Sequence, residues 1–160
     1  AVLVPIIAGR DGYDLILTKR SSALNHHPGQ LAFPGGKQDD GDADLIETAL
    51  REAREEIGLP SSIVNVLGTF APHETVTSFA MTPVVALVTE EFEARPEPGE
   101  VAEVFRVPLA HVLDASRYVV ESRRWRGQRR SYYAVPYGPY YIWGATARIL
   151  RAWTDRIPFD

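Results

Sequence analysis

Three glutamates, Glu52, Glu55 and Glu56, stand close together in the sequence beside two arginines, Arg51 and Arg54. At about 100° per residue, Leu45, Ile46, Ala49, Leu50, Ala53 and Ile57 share one broad face. The segment therefore reads as an amphipathic helix packed on a core, with the glutamates on the flank of its apolar face. Side chains three and four positions apart on a helix are neighbours, about 5–6 Å apart at Cβ. Carboxylates that close repel, and the arrangement costs stability unless positive charge sits among them. The arginines neutralise part of it, and a divalent cation can neutralise the rest. Mg²⁺ takes hard oxygen ligands and keeps waters, so a few carboxylates suffice when a substrate phosphate completes its shell. Taken alone, an Arg-Glu-x-x-Glu-Glu run also fits a solvated, salt-bridged helix face.

The elements that position these carboxylates can be read outward from the helix. Asp42 or Asp44 is its candidate N-cap, and Gly58 followed by Pro60 is its stop signal. Upstream, residues 1–8 are apolar and β-branched and predict a buried strand. A turn at 9–12 leads to a partner strand over 13–19, a polar loop over 21–30 and a short strand at 31–33. Downstream, strands are expected over 63–70, 79–89 and 101–107. An acidic loop covers 90–100, and a short helix starts at Pro108. A hairpin around Gly127 joins 118–125 to 128–135, and a last helix runs from 143 to 156. Strands dominate, with helices dispersed among them, which predicts an α+β or mixed α/β fold.

Composition bounds the chemistry. The chain has 160 residues, enough for one domain with a sizeable core. It has no cysteine, which excludes a disulfide scaffold, thiolate zinc, iron–sulfur clusters and a cysteine nucleophile. The net charge of -4 and pI near 5.6 speak against wholesale nucleic-acid binding. The best apolar stretch, 79–88, is too short to span a membrane. The opening AVLVPIIA lacks the basic start and cleavage site of a signal peptide. A cytoplasmic location is the expectation, although the chain starts at Ala1 without Met.

Context sharpens the reading of the glutamates. From Gly35-Gly36 onward the chain reads G-G-K-Q-D-D-G-D, eight residues, then R-E-A-R-E-E-I-G-L. This resembles the Nudix box: Gly, five residues, Glu, seven residues, Arg-Glu-apolar-x-Glu-Glu-x-Gly-apolar. Arg51, Glu52, Ala53, Glu55, Glu56, Gly58 and Leu59 match its second half in full. The first half departs from the pattern. Asp42 stands where Glu is usual, and eight residues rather than seven separate it from Arg51, which puts the role of Asp42 in doubt. The resemblance implies an α/β/α sandwich and a pyrophosphatase that uses Mg²⁺ or Mn²⁺. It implies Glu52 and Glu56 as main metal ligands, Glu55 assisting and the Gly36 carbonyl joining them. Arg51 would orient the carboxylates through a charge-assisted bond.

The segment upstream resembles the signature of coenzyme A pyrophosphatases. Leu17, Thr18, Arg20, Ser21, Leu24, His27, Gly29, Phe33, Pro34, Gly35 and Gly36 match, with Leu31 in place of the usual Val. The shortened box with Asp also recurs in that subfamily. Read from the residues, the segment is a polar loop carrying Lys19, Arg20 and His27, suited to the phosphates of coenzyme A. It equally allows Arg20 and Ser21 to fix the loop, with His27 bonded inside it. The signature adds Phe33 and Gly35 to the candidate substrate contacts. Residues 141–150 resemble the last helix of coenzyme A and ADP-ribose pyrophosphatases.

Hydrolysis needs a deprotonated water, and a metal lowers the pKa of a water bound to it. Glu55, Glu100 and Glu103 are the candidate bases, with Glu74 a weaker one. Five arginines, Arg123, Arg124, Arg126, Arg129 and Arg130, flank Gly127. They suit a solvated hairpin or a charge-protected edge strand, with a phosphate contact as the alternative. Five of the seven tyrosines fall in 132–141, as core or dimer-interface residues. The expected partner is a small-molecule diphosphate of the coenzyme A type, with ADP-ribose or another nucleoside diphosphate derivative as the alternative substrate. A catalytically silent nucleotide-binding module is a third reading, and a homodimer is one option for the assembly. Neither nucleic acid nor membrane is expected as a partner.

Overall fold

The computed structural model describes residues 1–25, 29–75 and 80–156. In chain order the strands and helices are β1 (Val2–Ala8), β2 (Tyr13–Arg20), β3 (Leu31–Ala32), α1 (Leu45–Ile57), β4 (Val64–Thr69), β5 (His73–Glu74), β6 (Ala80–Met81), β7 (Pro83–Val88), β8 (Val101–Pro108), α2 (Leu109–Val112), β9 (Val119–Trp125), β10 (Gln128–Tyr137), β11 (Tyr140–Trp143) and α3 (Gly144–Thr154). Short 3-10 turns occupy Ser61–Ile63 and Ala115–Arg117.

Six strands form a mixed sheet. β1 runs antiparallel to β2 and parallel to β7, and β4 pairs antiparallel with β7. Asp14 and Leu15 of β2 pair with both β1 and β8, while Thr18 and Lys19 pair with both β3 and β8. β8 therefore lines one edge of β2, and β1 and β3 share the other.

The side-chain alternation of strands sorts the core into two layers. Leu3, Ile7, Ile16, Val84, Ala86 and Val88 pack against Ala49, Ala53 and Ile57 of α1. Val2, Val4, Leu15, Leu17, Val85, Phe105 and Val107 face the opposite way, towards Val112, Ala147, Leu150 and Trp153 of α2 and α3. The central strands are covered on both faces, which is why β1 and β7 read as nearly unbroken apolar runs. The result is the expected mixed sheet flanked by helices. Among the described residues, no helix is long and apolar enough to cross a membrane.

α1 is bounded by caps legible in the sequence. Asp44 accepts from the Glu47 amide at 2.8 Å, and the Glu47 carboxylate accepts from the Ala43 amide at 3.0 Å. At the other end Gly58 turns left-handed, with φ 72°, and its amide closes on Arg54.

Two expectations need correction. The strand expected over 79–89 is divided at Thr82. Ala80–Met81 leaves the main sheet to pair with His73–Glu74, and β7 begins at Pro83. The hairpin around Gly127 is one part of a three-stranded sheet, because β10 continues to Tyr137 and β11 returns beside it. Pro136 obscures this in the sequence, since proline interrupts most ladders. Here the ladder to β9 ends at Ala134, so the missing N–H of Pro136 breaks no rung on that side.

A Cβ at position 58 would lie 3.1 Å from the Arg95 Cβ, in a backbone conformation that L-residues resist. Gly58→Ala is expected to cost about 1–2 kcal/mol, measured as a lowered urea midpoint at unchanged m-value.

Candidate metal centre

Glu52 and Glu56 sit one turn apart on α1, and Glu100 comes from the loop leading into β8. One carboxylate oxygen from each lies within 4.8 Å of the other two. Their burial is graded: Glu56 is buried, Glu52 half-buried and Glu100 exposed. The Gly35 amide donates to Glu56 Oε2 at 3.2 Å. A Cβ on Gly36 would stand 2.6 Å from the Glu52 carboxyl, so the glycine makes room for that side chain. The double glycine before the helix thus has two jobs. One residue offers an amide to the buried carboxylate, and the other stays out of the way of its neighbour.

The loop carrying Glu100 is fastened to the end of α1. The Arg95 amide donates to the Ile57 carbonyl and the Glu97 amide to the Glu56 carbonyl, both at 2.9 Å. These bonds satisfy two of the carbonyls that a helix terminus leaves without partners. Phe92 packs on the α1 side of the core, and Arg106 pairs with Glu91. At the far end the Ser21 amide donates to the Glu100 carbonyl at 2.9 Å.

The electrostatics follow from this geometry. Burial, with the charges of Glu52 and Glu100 adding to it, pushes the Glu56 carboxyl up to about 8 against the opposing bond from Gly35. Burial also raises Glu52, with Arg51 working in the other direction. Three converging carboxylates, two of them with ionisation suppressed by burial, form a donor set of hard oxygens, which fits Mg²⁺ or Mn²⁺. The Gly36 carbonyl accepts from the Ala1 nitrogen at 2.8 Å.

Arg51 holds the acidic helix edge together. Its Nε and Nη2 reach Asp42 Oδ1 and Oδ2, each at 3.0 Å. Its Nη1 lies 3.1 Å from both Glu52 Oε1 and Glu55 Oε2, and Nη2 also donates to the Lys37 carbonyl. Asp42 accepts in addition from Thr48 Oγ1 and from the Asp39 amide, each at 2.9 Å. The Arg51 guanidinium and these donors hold the Asp42 carboxyl well below the usual carboxylate range. The doubt over Asp42 is thereby resolved in terms of position: it faces Arg51 across the helix start despite the shorter side chain and altered spacing. Thr48, absent from the sequence reading, completes this clamp.

The other sequence candidates divide. Glu55 is largely exposed and turned to Arg51, outside the three converging oxygens. Glu103 alternates with Val104, which packs on the α1 side, so it projects to the other face, where the Tyr140 hydroxyl donates to it. Glu74 lies on β5, its carbonyl taken by Arg148. Lys19 is exposed on β2, and the Arg20 charge acts on Glu56. The Arg20 backbone closes the following loop through Gln30 and Gly29, and Ser21 Oγ accepts from the Ala23 amide. Phe33 differs from its expectation as a substrate contact. It is 5% exposed and belongs to the core beneath the loop, because β3 directs it inward with Leu31. His27 lies outside the described residues.

Comparison with known proteins bears on the family and the fold. The family model for the NUDIX domain matches residues 1–127. The chain is 44% identical over 151 residues to the Nudix hydrolase NudL of Cronobacter sakazakii, which covers 94% of this chain and 78% of that protein. To NudL of Yersinia enterocolitica it is 43% identical over 157 residues, covering 98% and 80%. Its backbone superposes on the MutT protein of Methanosarcina mazei with a TM-score of 0.60 at 21% identity, over 96% of this chain and 91% of that one. This last likeness bears on the fold.

The raised Glu56 sets a pH dependence. The folded chain keeps Glu56 protonated up to about pH 8, whereas an unfolded carboxyl ionises near 4.5. Without divalent cation, the Glu56 contribution to stability therefore falls as pH rises from about 4.5 to about 8. Urea titrations across that window are expected to show the decline in wild type and a flatter profile in Glu56→Gln. Mg²⁺ must displace that proton, so the Tm gained on adding it should be larger at pH 8 than at pH 6.

Proposed function

This chain belongs to the NUDIX family and is a Nudix pyrophosphatase; from that premise we propose that it hydrolyses the diphosphate of coenzyme A or its derivatives to 3′,5′-ADP and 4′-phosphopantetheine, with Mg²⁺ or Mn²⁺. The observation that carries the reaction class is the convergence of Glu52, Glu56 and Glu100 beside Gly35-Gly36. The support for the substrate is the coenzyme A signature through residues 16–36, whose loop is tied to Glu100 through Ser21.

In this reading Glu52, Glu56 and Glu100 hold the cation, with the Gly36 carbonyl beside them. The bound cation would supply charge neutralisation for the diphosphate and acidify a water. Arg51 sets the direction of the Glu52 carboxylate, and Asp42 fixes Arg51. Glu55, exposed beside the cluster, is the carboxylate best placed to take a proton from water arriving from solvent. Glu103 is engaged by Tyr140 on the other face, which disfavours it as the base. Lys19 and Arg20 supply positive charge on the side from which an anionic substrate enters.

ADP-ribose or another nucleoside diphosphate derivative is the second reading, since one cation site serves any diphosphate. A silent binding module is disfavoured by the intact carboxylate set. A substrate panel with each metal separates the readings. Coenzyme A turnover that stops with EDTA is expected, and hydrolysis of ADP-ribose alone would overturn the coenzyme A assignment. Glu52→Gln and Glu56→Gln should each lower kcat on the order of 10²–10³-fold, while unchanged turnover in both would remove the metal site from the reaction. Glu55→Gln should flatten the acidic arm of the kcat–pH profile more than Glu103→Gln does.

A further inference from the structure

The hairpin formed by β9 and β10 projects from the body. Between 119 and 133 the described side chains are exposed on both faces, with only Tyr132 half-buried. Val120 is 66% exposed, Val119 44% and Tyr133 36%. At its base Tyr133 meets Tyr118 and Arg151, and Arg123 lies over the Trp143 ring; a two-stranded ribbon with so little cover is marginally stable in water.

Its charges make the problem worse. Arg124 stands directly opposite Arg129, and Arg123 directly opposite Arg130, so like charges face each other on both surfaces of the ribbon. Like charges in directly opposed positions destabilise a hairpin. Arg126 and Gly127 form the two-residue turn, both with positive φ, and add a fifth arginine at the tip. Five arginines against Glu121 give residues 119–133 a formal charge of +4, which leaves -8 on the rest of a chain whose total is -4. Local conflict of this kind marks a surface kept for a partner rather than for the fold.

The chain itself carries the complementary surface. Glu90, Glu91, Glu93, Glu97 and Glu100 are exposed along one loop. That loop is held by the end of α1, by Phe92 and by Arg106. A single phosphate would engage one face of the ribbon and leave its apolar residues in water. A nucleic acid would meet repulsion from the strongly acidic body. We propose that the arm docks on the acidic loop 90–100 of a second copy of this chain, each arm meeting the other's loop about a two-fold axis.

Sedimentation velocity over a range of protein concentrations tests this independently of any catalytic activity. Wild type is expected to dimerise at about 0.05 M NaCl and to associate at least about tenfold more weakly at about 0.5 M. Arg124→Glu/Arg129→Glu and Glu93→Lys/Glu97→Lys should each be monomeric, and their equimolar mixture should sediment as a dimer. Arg124→Gln/Arg129→Gln relieves the cross-strand repulsion, so its monomer should melt higher than that of wild type while dimerising more weakly. Wild type that is monomeric at low salt would overturn the proposal. So would charge-reversed variants that remain dimeric, a mixture that stays monomeric while both partners are folded by circular dichroism, or a monomeric arm that retains duplex DNA.

Discussion

The bidentate pair between Arg51 and Asp42 is the interaction on which the acidic edge of α1 depends. Glu52, Glu55 and Glu56 would otherwise crowd one flank of a helix whose other flank is committed to the core. Arg51 answers two of the three glutamates directly, and it can do so because its own planar group is fixed from behind by Asp42. Thr48 and the Asp39 amide hold Asp42 in turn. The arrangement is directional as well as neutralising. A guanidinium with five donors in a rigid fork can orient several carboxylates at once, which an ammonium cannot.

Glu56 is the carboxylate that this device leaves out. It faces inward, receives the Gly35 amide, and meets Glu52 and Glu100. The helix edge therefore grades from Glu55, exposed and paired with Arg51, through Glu52, which shares Arg51, to Glu56, which takes the Gly35 amide. Under the proposed function, the inner end of that gradient is where a cation would bind.

Much of this was legible in the sequence, because the signals were local. The caps of α1, its apolar stripe and the glycines on either side all follow from short-range rules, and they place Glu52 and Glu56 one turn apart on the helix. What escaped had non-local causes. Whether Glu100 or Glu103 joins the cluster depends on the phase of β8 and on how the preceding loop ties to α1. Phe33 sits in a segment rich in ligand-like residues, yet strand direction sends it to the core. The split at Thr82 and the strand at Tyr140 depend on pairing partners far along the chain. Asp42 was visible but ambiguous, since only the folded loop shows that one extra residue compensates for a shorter acid.

The three converging carboxylates are unequally distributed along the chain. Glu52 and Glu56 become neighbours as soon as one helical turn forms. Glu100 comes from beyond β4 and β7 and meets them through the loop closed on the helix end. Closing so long a segment carries an entropic cost that must be met before its contacts form. A chain folded only as far as α1 would thus present two of the three carboxylates of the proposed site. The third carboxylate of the proposed site is in this sense a reporter of the completed loop, where the first two report only a helix.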